Sequence, residues 1–185
     1  HISHPRIYMN LGEDNGFWQG FRYEEARIPE MHPSASPRFC SVASGDIDDD
    51  GDEDLYFGDY DSGTSQIYDY NNRLLINNGS GVFTDESTSR MSEEMLLSAF
   101  GAASVIADMN NDGTLDVVKQ TSLNPPQHVA IAYNGQSPEG WFVDYDIIDE
   151  NAPYFISVDD LNGDGRLDIV VVDDGSDRYY LNQGN

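Results

Sequence analysis

Apolar positions in this chain come in short runs rather than in a helical stripe. Runs rich in Val, Ile, Ala and Ser occupy residues 40–45, 104–107 and 155–158, and runs rich in Leu, Val, Ile and aromatic residues occupy 55–57, 117–118 and 169–172. They are β-branched or aromatic, of strand length and bounded by Gly and Asp, so each reads as a β-strand. Between the members of each pair lies the same string: Asp46-Ile-Asp48-Asp-Asp50-Gly51-Asp-Glu-Asp54, Asp108-Met-Asn110-Asn-Asp112-Gly113-Thr-Leu-Asp116 and Asp160-Leu-Asn162-Gly-Asp164-Gly165-Arg-Leu-Asp168. The shared pattern is D-x-[DN]-x-D-G-x-x-D, with starts 62 and 52 residues apart. A second pattern, Arg-x-x-x-Asn-x-Gly, recurs at Arg6–Gly12, Arg73–Gly79 and Arg178–Gly184, with a weaker copy at Ala130–Gly135. It predicts a third strand, and residues 17–23, 82–86 and 141–148 predict a fourth beyond Gly-containing turns. Helix has little room; residues 92–97 predict one or two turns capped by Ser92.

Two alternating signatures at this period mean a repeat architecture, and four-stranded meanders repeated at it suit an all-β fold, a β-propeller. The expected units are residues 1–36 (outer strands of one blade), 37–98 (a second blade), 99–152 (a third) and 153–185 (the first three strands of a fourth). Ring closure from these alone gives three blades and a spare strand, below the usual minimum of about four. The expectation is therefore part of a larger propeller, with a sandwich or an open solenoid as the alternative. The N-terminal His-Ile-Ser-His-Pro-Arg has neither an initiator Met nor a signal h-region, which reads as a mature product or a segment of something longer.

Charge narrows the function. Across 185 residues, 34 Asp and Glu face 9 Lys and Arg, a formal net charge of −25. Such a chain has no basic face for nucleic acid and is repelled by anionic membranes. Eleven Tyr, eight Phe and two Trp argue against disorder. No apolar stretch is long enough to span a bilayer. The lone Cys40 excludes an internal disulfide and reads as a small buried thiol.

Ligand spacing assigns the acids. In a tight loop, side chains at positions 1, 3 and 5 converge, Gly at 6 permits the turn, the carbonyl at 7 adds an oxygen and a later carboxylate closes the shell of a hard cation. The candidate side-chain ligands are Asp46, Asp48, Asp50 and Asp54; Asp108, Asn110, Asp112 and Asp116; and Asp160, Asn162, Asp164 and Asp168, with main-chain carbonyls from Asp52, Thr114 and Arg166. Calcium, at three sites, suits this shell better than magnesium. Two carboxylates about 4 Å apart repel by roughly 4 kcal/mol at an effective dielectric of 20, so a cation offsets a real cost. The first loop carries four ligand carboxylates against three in each of the others, and on that count is expected to bind tightest. Solvated acidic turns are the alternative, weakened by triplication at constant offsets. An EF-hand is excluded, because position 12 is Phe57, Lys119 or Val171 and the flanks are strands.

These loops, the Arg-x-x-x-Asn-x-Gly segments and Gly81-Val-Phe83-Thr-Asp85 resemble the FG-GAP/VCBS repeat family, whose calcium-loop blades also build integrin α-subunit heads. Phe100-Gly101 sits where such repeats often carry Phe-Gly. The resemblance implies propellers of about seven blades, an extracellular, cell-surface or periplasmic setting, and adhesion, ligand binding or assembly with an unidentified protein or glycan partner.

Catalysis has little support. His1 and His4 lie at the terminus, His32 in a Pro-rich link and His128 near a third strand, none beside a nucleophile context. Paired carboxylates for glycoside chemistry are not singled out among the acids, and Trp18 and Trp141 read as packing residues before sugar platforms. The Asn78-Gly79-Ser80 sequon suffices as a hairpin turn. The reading is a non-catalytic calcium-binding module, with a polysaccharide-active enzyme such as a lyase, or a lectin, as the alternative.

Overall fold

In the computed structural model of the protein, the strand-length runs form antiparallel sheets that follow chain order. The structure describes residues 5–30, 38–59, 72–96, 101–121, 128–135, 140–151 and 153–184. The first element is a hairpin of β1 (Tyr8–Asn10) against β4 (Phe21–Tyr23), extended by β2 (Glu13–Asp14) against β3 (Phe17–Trp18). Asn15 and Gly16 make its turn with φ of 51° and 81°, the left-handed pair that a two-residue hairpin needs. The fourth strand expected over residues 17–23 is divided at Gly20, where Leu11 N–H donates to Gly20 O and Gln19 N–H to Gly12 O.

A complete four-stranded sheet follows, in the order β5 (Phe39–Gly45), β6 (Asp54–Asp59), β7 (Arg73–Asn77) and β8 (Phe83–Asp85). Two helical turns lead out of it, α1 (Ser87–Arg90) and α2 (Glu93–Leu96). Ser92 caps α2 as expected, its Oγ accepting from Met95 N–H at 3.2 Å, while α1 has no forerunner in the sequence reading. The second complete sheet is β9 (Ser104–Ala107), β10 (Asp116–Thr121), β11 (His128–Asn134) and β12 (Phe142–Asp149). A third sheet has β13 (Phe155–Asp159), β14 (Asp168–Val172) and β15 (Arg178–Tyr180). The architecture is all-β, an array of antiparallel meanders compatible with a propeller-like fold; none of the described sheets closes on itself.

Apolar layers lie between successive sheets. Ile28, Phe57, Leu75 and Phe83 join the hairpin to the first sheet, with Ile7 packed alongside. Ile47, Tyr56, Leu74, Ile76, Val117, Ala132 and Phe142 fill the space between the first and second sheets. Met109, Val118, Val129, Ile131, Ile169 and Val171 do so between the second and third. Neighbours in sequence thus face opposite layers, Leu74 one way and Leu75 the other, Val117 one way and Val118 the other. That is why the middle strands read as continuous apolar runs: they are covered on both faces. Each fully buried Leu, Ile or Val contributes roughly 1.5–3 kcal/mol relative to exposure.

Two packing expectations are corrected. Cys40 is exposed rather than buried, because the β5–β6 register slips between Phe39 and Ser41 and leaves it as the extra residue of a bulge. Its sulfur nonetheless lies 3.0 Å from Gly101 O, and burial of that atom, with Asp59 nearby, pushes the thiol up to about 12. Trp18 is 62% exposed, since among the described residues no sheet packs against the outer part of the hairpin, and its indole N–H donates to Asn10 Oδ1.

Candidate metal centre in the strand-connecting loops

Each D-x-[DN]-x-D-G-x-x-D string connects the first and second strands of a sheet, and the three adopt one hydrogen-bonding scheme. The position 1 carboxylate turns inward and accepts from the chain that wraps it: Asp46 from the N–H groups of Asp50 and Gly51, Asp108 from Asp112 and Gly113, Asp160 from Asp164 and Gly165, all at 2.9–3.2 Å. The position 5 carboxylates accept from the position 7 N–H groups, Asp50 from Asp52, Asp112 from Thr114 and Asp164 from Arg166. Gly51, Gly113 and Gly165 have φ of 96°, 94° and 83°, so the glycine at position 6 is a conformational requirement. The sequence reading missed position 4, which is left-handed too: Asp49 at 55°, Asn111 at 58° and Gly163 at 77°. The signal was legible, because Asp, Asn and Gly are the residues that tolerate this region.

The position 9 carboxylates occupy a different place. Asp54, Asp116 and Asp168 are fully buried at the start of the second strand. Each accepts a loop N–H on one oxygen (Ile47, Met109, Leu161) and a third-strand N–H on the other (Asn77, Asn134, Asn182), all at 2.8–3.0 Å. Each oxygen keeps a second lone pair. Burial raises Asp54 and Asp116 to about 6, against the pull of these N–H donors.

Among the described residues, Asp46, Asp48 and Asp50 form the one acidic group whose ligand oxygens all lie within 4.8 Å of one another. Asp54 lies outside it, and the second and third loops, with Asn110 and Asn162 at position 3, place two Asp there instead of three. Asp48 Oδ1 and Asp52 Oδ1 are buried without a hydrogen-bond partner. Burial, with Asp50 and Asp46 nearby, holds both carboxyls above their ordinary range, although Arg90 pulls Asp48 back. Converging oxygens with orphaned lone pairs fit a hard cation. Asp160 stands apart: the N–H groups of Gly165, Gly163 and Asp164 hold its carboxyl below the usual range.

Two of the three asparagines, Asn134 and Asn182, bind more than their own loop. Asn134 Nδ2 donates to Ile47 O in the loop of the preceding sheet at 2.7 Å, and Asn182 Nδ2 to Met109 O in the loop before it at 2.8 Å. The asparagine thus makes a joint between sheets at Asn134 and Asn182, whereas Asn77 Nδ2 donates to Glu53 O of its own sheet. Arg73 pairs with Asp85 within its sheet, whereas Arg178 reaches Asp149 of the sheet before.

His128 is buried, its Nε2 2.5 Å from Tyr145 Oη, with its pKa lowered to about 4 by burial and by Lys119. His1, His4, His32 and Phe100 lie outside the described residues. Trp141 packs under the Arg90 guanidinium, 4.4 Å from the ring centroid. No described helix is long and apolar enough to cross a membrane.

No curated protein matches the chain. Residues 46–118, from the first acidic loop through the second and into β10, match the FG-GAP-like repeat family, and the chain therefore carries FG-GAP-like repeat sequence.

Proposed function

We propose that the protein is a non-catalytic calcium-binding β-propeller module of an exported or cell-surface protein, serving protein or glycan binding, adhesion or assembly alongside further blades. The observation that carries this reading is the loop scheme, repeated three times and holding at Asp46, Asp48 and Asp50 a group of converging carboxylates with an orphaned Asp48 oxygen. In the first loop Asp46, Asp48 and Asp50 hold the ion, with Asp54 and the Asp52 carbonyl completing the shell. Asp108, Asn110, Asp112, Asp116 and Thr114 serve in the second loop, and Asp160, Asn162, Asp164, Asp168 and Arg166 in the third. Calcium supplies positive charge to carboxylates that otherwise repel one another, and so stiffens the turn between the first two strands. Because Ile47 and Met109 in these loops also accept from the next sheet, a stiffer loop stiffens the joint between sheets. Millimolar extracellular calcium suffices even for weak sites.

Thermal unfolding with calcium and with chelator tests the metal. At a hundredfold excess over Kd one site adds about 2.7 kcal/mol, which at this chain length raises the midpoint by about 5–10 °C. An unchanged midpoint sinks the calcium reading. A glycan array run beside a depolymerisation assay tests the rest, since cleavage of a polysaccharide overturns the non-catalytic assignment.

A further inference from the structure

Arg90 ends α1 at the junction of the first loop and the second sheet. Its side chain is 9% exposed; Nε lies 2.6 Å from Glu86 Oε2 and Nη2 3.1 Å from Asp48 Oδ2, while the guanidinium covers Trp141. Gly140 closes the other side so tightly that a Cβ there would overlap Arg90 Nη1 and press on Asp48 Cβ. The guanidinium is therefore locked in place, one Asp48 oxygen is taken, and the other, Oδ1, is left buried without a partner in the acidic group. The third loop also has an arginine, Arg166 on Asp164, but it is a neighbour within the loop and 34% exposed.

We propose that Arg90 is a resident counter-cation of the first loop: it holds Asp48 through Oδ2, keeps the carboxylates together without metal, and weakens calcium binding there by repelling a second cation. The proposal rests on the reading of the loops as calcium sites. It also removes the charge advantage that the sequence gives the first loop, because one of its four ligand carboxylates is paired with Arg90, leaving three as in the second loop, while Arg166 leaves two in the third. Removing Arg90 has effects of opposite sign: the metal-free protein loses stability and the first loop gains calcium affinity. A residue that merely packs the junction gives only the loss.

Calcium is titrated by calorimetry into the D112A/D164A protein, in which the first loop alone keeps its ligand set, and into the same protein with Arg90→Met or Arg90→Lys. Even at bulk-water screening a unit charge several Å from a divalent ion changes affinity by about tenfold, so R90M is expected to bind about tenfold more tightly. R90K, which keeps the charge, stays within about twofold of the parent on the same grounds, and chelated R90M melts below it. Equal or weaker binding by R90M overturns the proposal and leaves the calcium reading standing; no binding by any of the proteins overturns both. If R90M does not fold, Arg90→Gln, which removes the charge and keeps a polar head group, decides: it is expected to bind calcium about tenfold more tightly than the parent, and equal or weaker binding overturns the proposal.

Discussion

Asp54, Asp116 and Asp168 use both carboxylate oxygens on backbone N–H groups, so their first duty is to hold loop and third strand together. Asp116→Ala removes two buried charge-assisted hydrogen bonds and is expected to cost about 2–4 kcal/mol in urea unfolding, even with chelator present. Asp112→Asn, at an exposed loop position, is expected to leave the chelated protein within about 1 kcal/mol and to lower only the calcium-dependent gain. Equal losses for the two in chelator would contradict this division between staple and ligand. Lys119 offers a second test at this scale. It is buried, donates to Glu94 O and Met95 O, and burial, partly opposed by Glu94, lowers it from 10.5 to about 7. Between pH 7 and 9 the unfolded chain keeps a proton there that the folded one releases, so stability rises with pH, by on the order of 1 kcal/mol per unit at most. His128 titrates below this window, and burial holds Tyr145 above it. Denaturant midpoints across pH 7–9 should climb for the parent and flatten for Lys119→Met; an equal climb in both would exclude Lys119 as the source.

At the scale of elements, Asn134 is more than a strand end. Its Nδ2 donates to Ile47 O of the preceding sheet and to Leu115 O of its own, while Asn77 Nδ2 donates, among the described residues, to Glu53 O of its own sheet. Asn134→Ala is therefore expected to destabilise by about 1 kcal/mol more than Asn77→Ala, measured as denaturant midpoints at equal slope. Gly140→Ala should cost more than Gly12→Ala. Both have positive φ, at 79° and 69°, but only the first meets atoms, those of Arg90 and Asp48. Strand positions, the acidic loops and the α2 cap were legible in the sequence because each follows from local chemistry: apolar runs, Asp-Gly turns, Ser ahead of Glu. The β5 bulge at Cys40 was not, since a register slip is decided between two strands rather than in one. Nor was Arg90, whose partners Asp48 and Trp141 lie 42 residues before it and 51 after it and meet only when two sheets pack. The asparagine joint lay half in view: its period was visible, but the acceptor belongs to another sheet.

On the scale of the whole molecule, a net charge of −25 is spread over a stack whose apolar layers are internal. Self-repulsion opposes the compact state, and at physiological ionic strength it is screened beyond about 8 Å. With chelator present, raising sodium chloride from low to about 0.5 M is expected to raise the melting midpoint, because the Debye length shortens. A flat or falling midpoint would mean that the acids are already compensated within the fold. The two ends of the stack differ from its interior. Tyr8, Phe21 and Tyr23 are exposed on the hairpin, as are Phe155, Leu161, Val172 and Tyr179 on the third sheet. Leu161 makes the comparison directly, at 47% exposed, whereas its counterparts Ile47 and Met109 are buried beneath the sheet that follows each.

The asparagine joint has a consequence for how such a chain can change length. The second sheet presents a loop carbonyl, Met109 O, on one side and an asparagine amide, that of Asn134, on the other, a head-to-tail contact that neither pairs with itself nor limits its own repetition. Removing one whole period, residues 47–108, would join Asp46 to Met109, restore an unbroken acidic string and leave Asn182 facing the same Met109 carbonyl. Exchange between the acidic strings therefore changes the chain by a whole sheet while keeping an intact string and the contact from Asn182 to Met109.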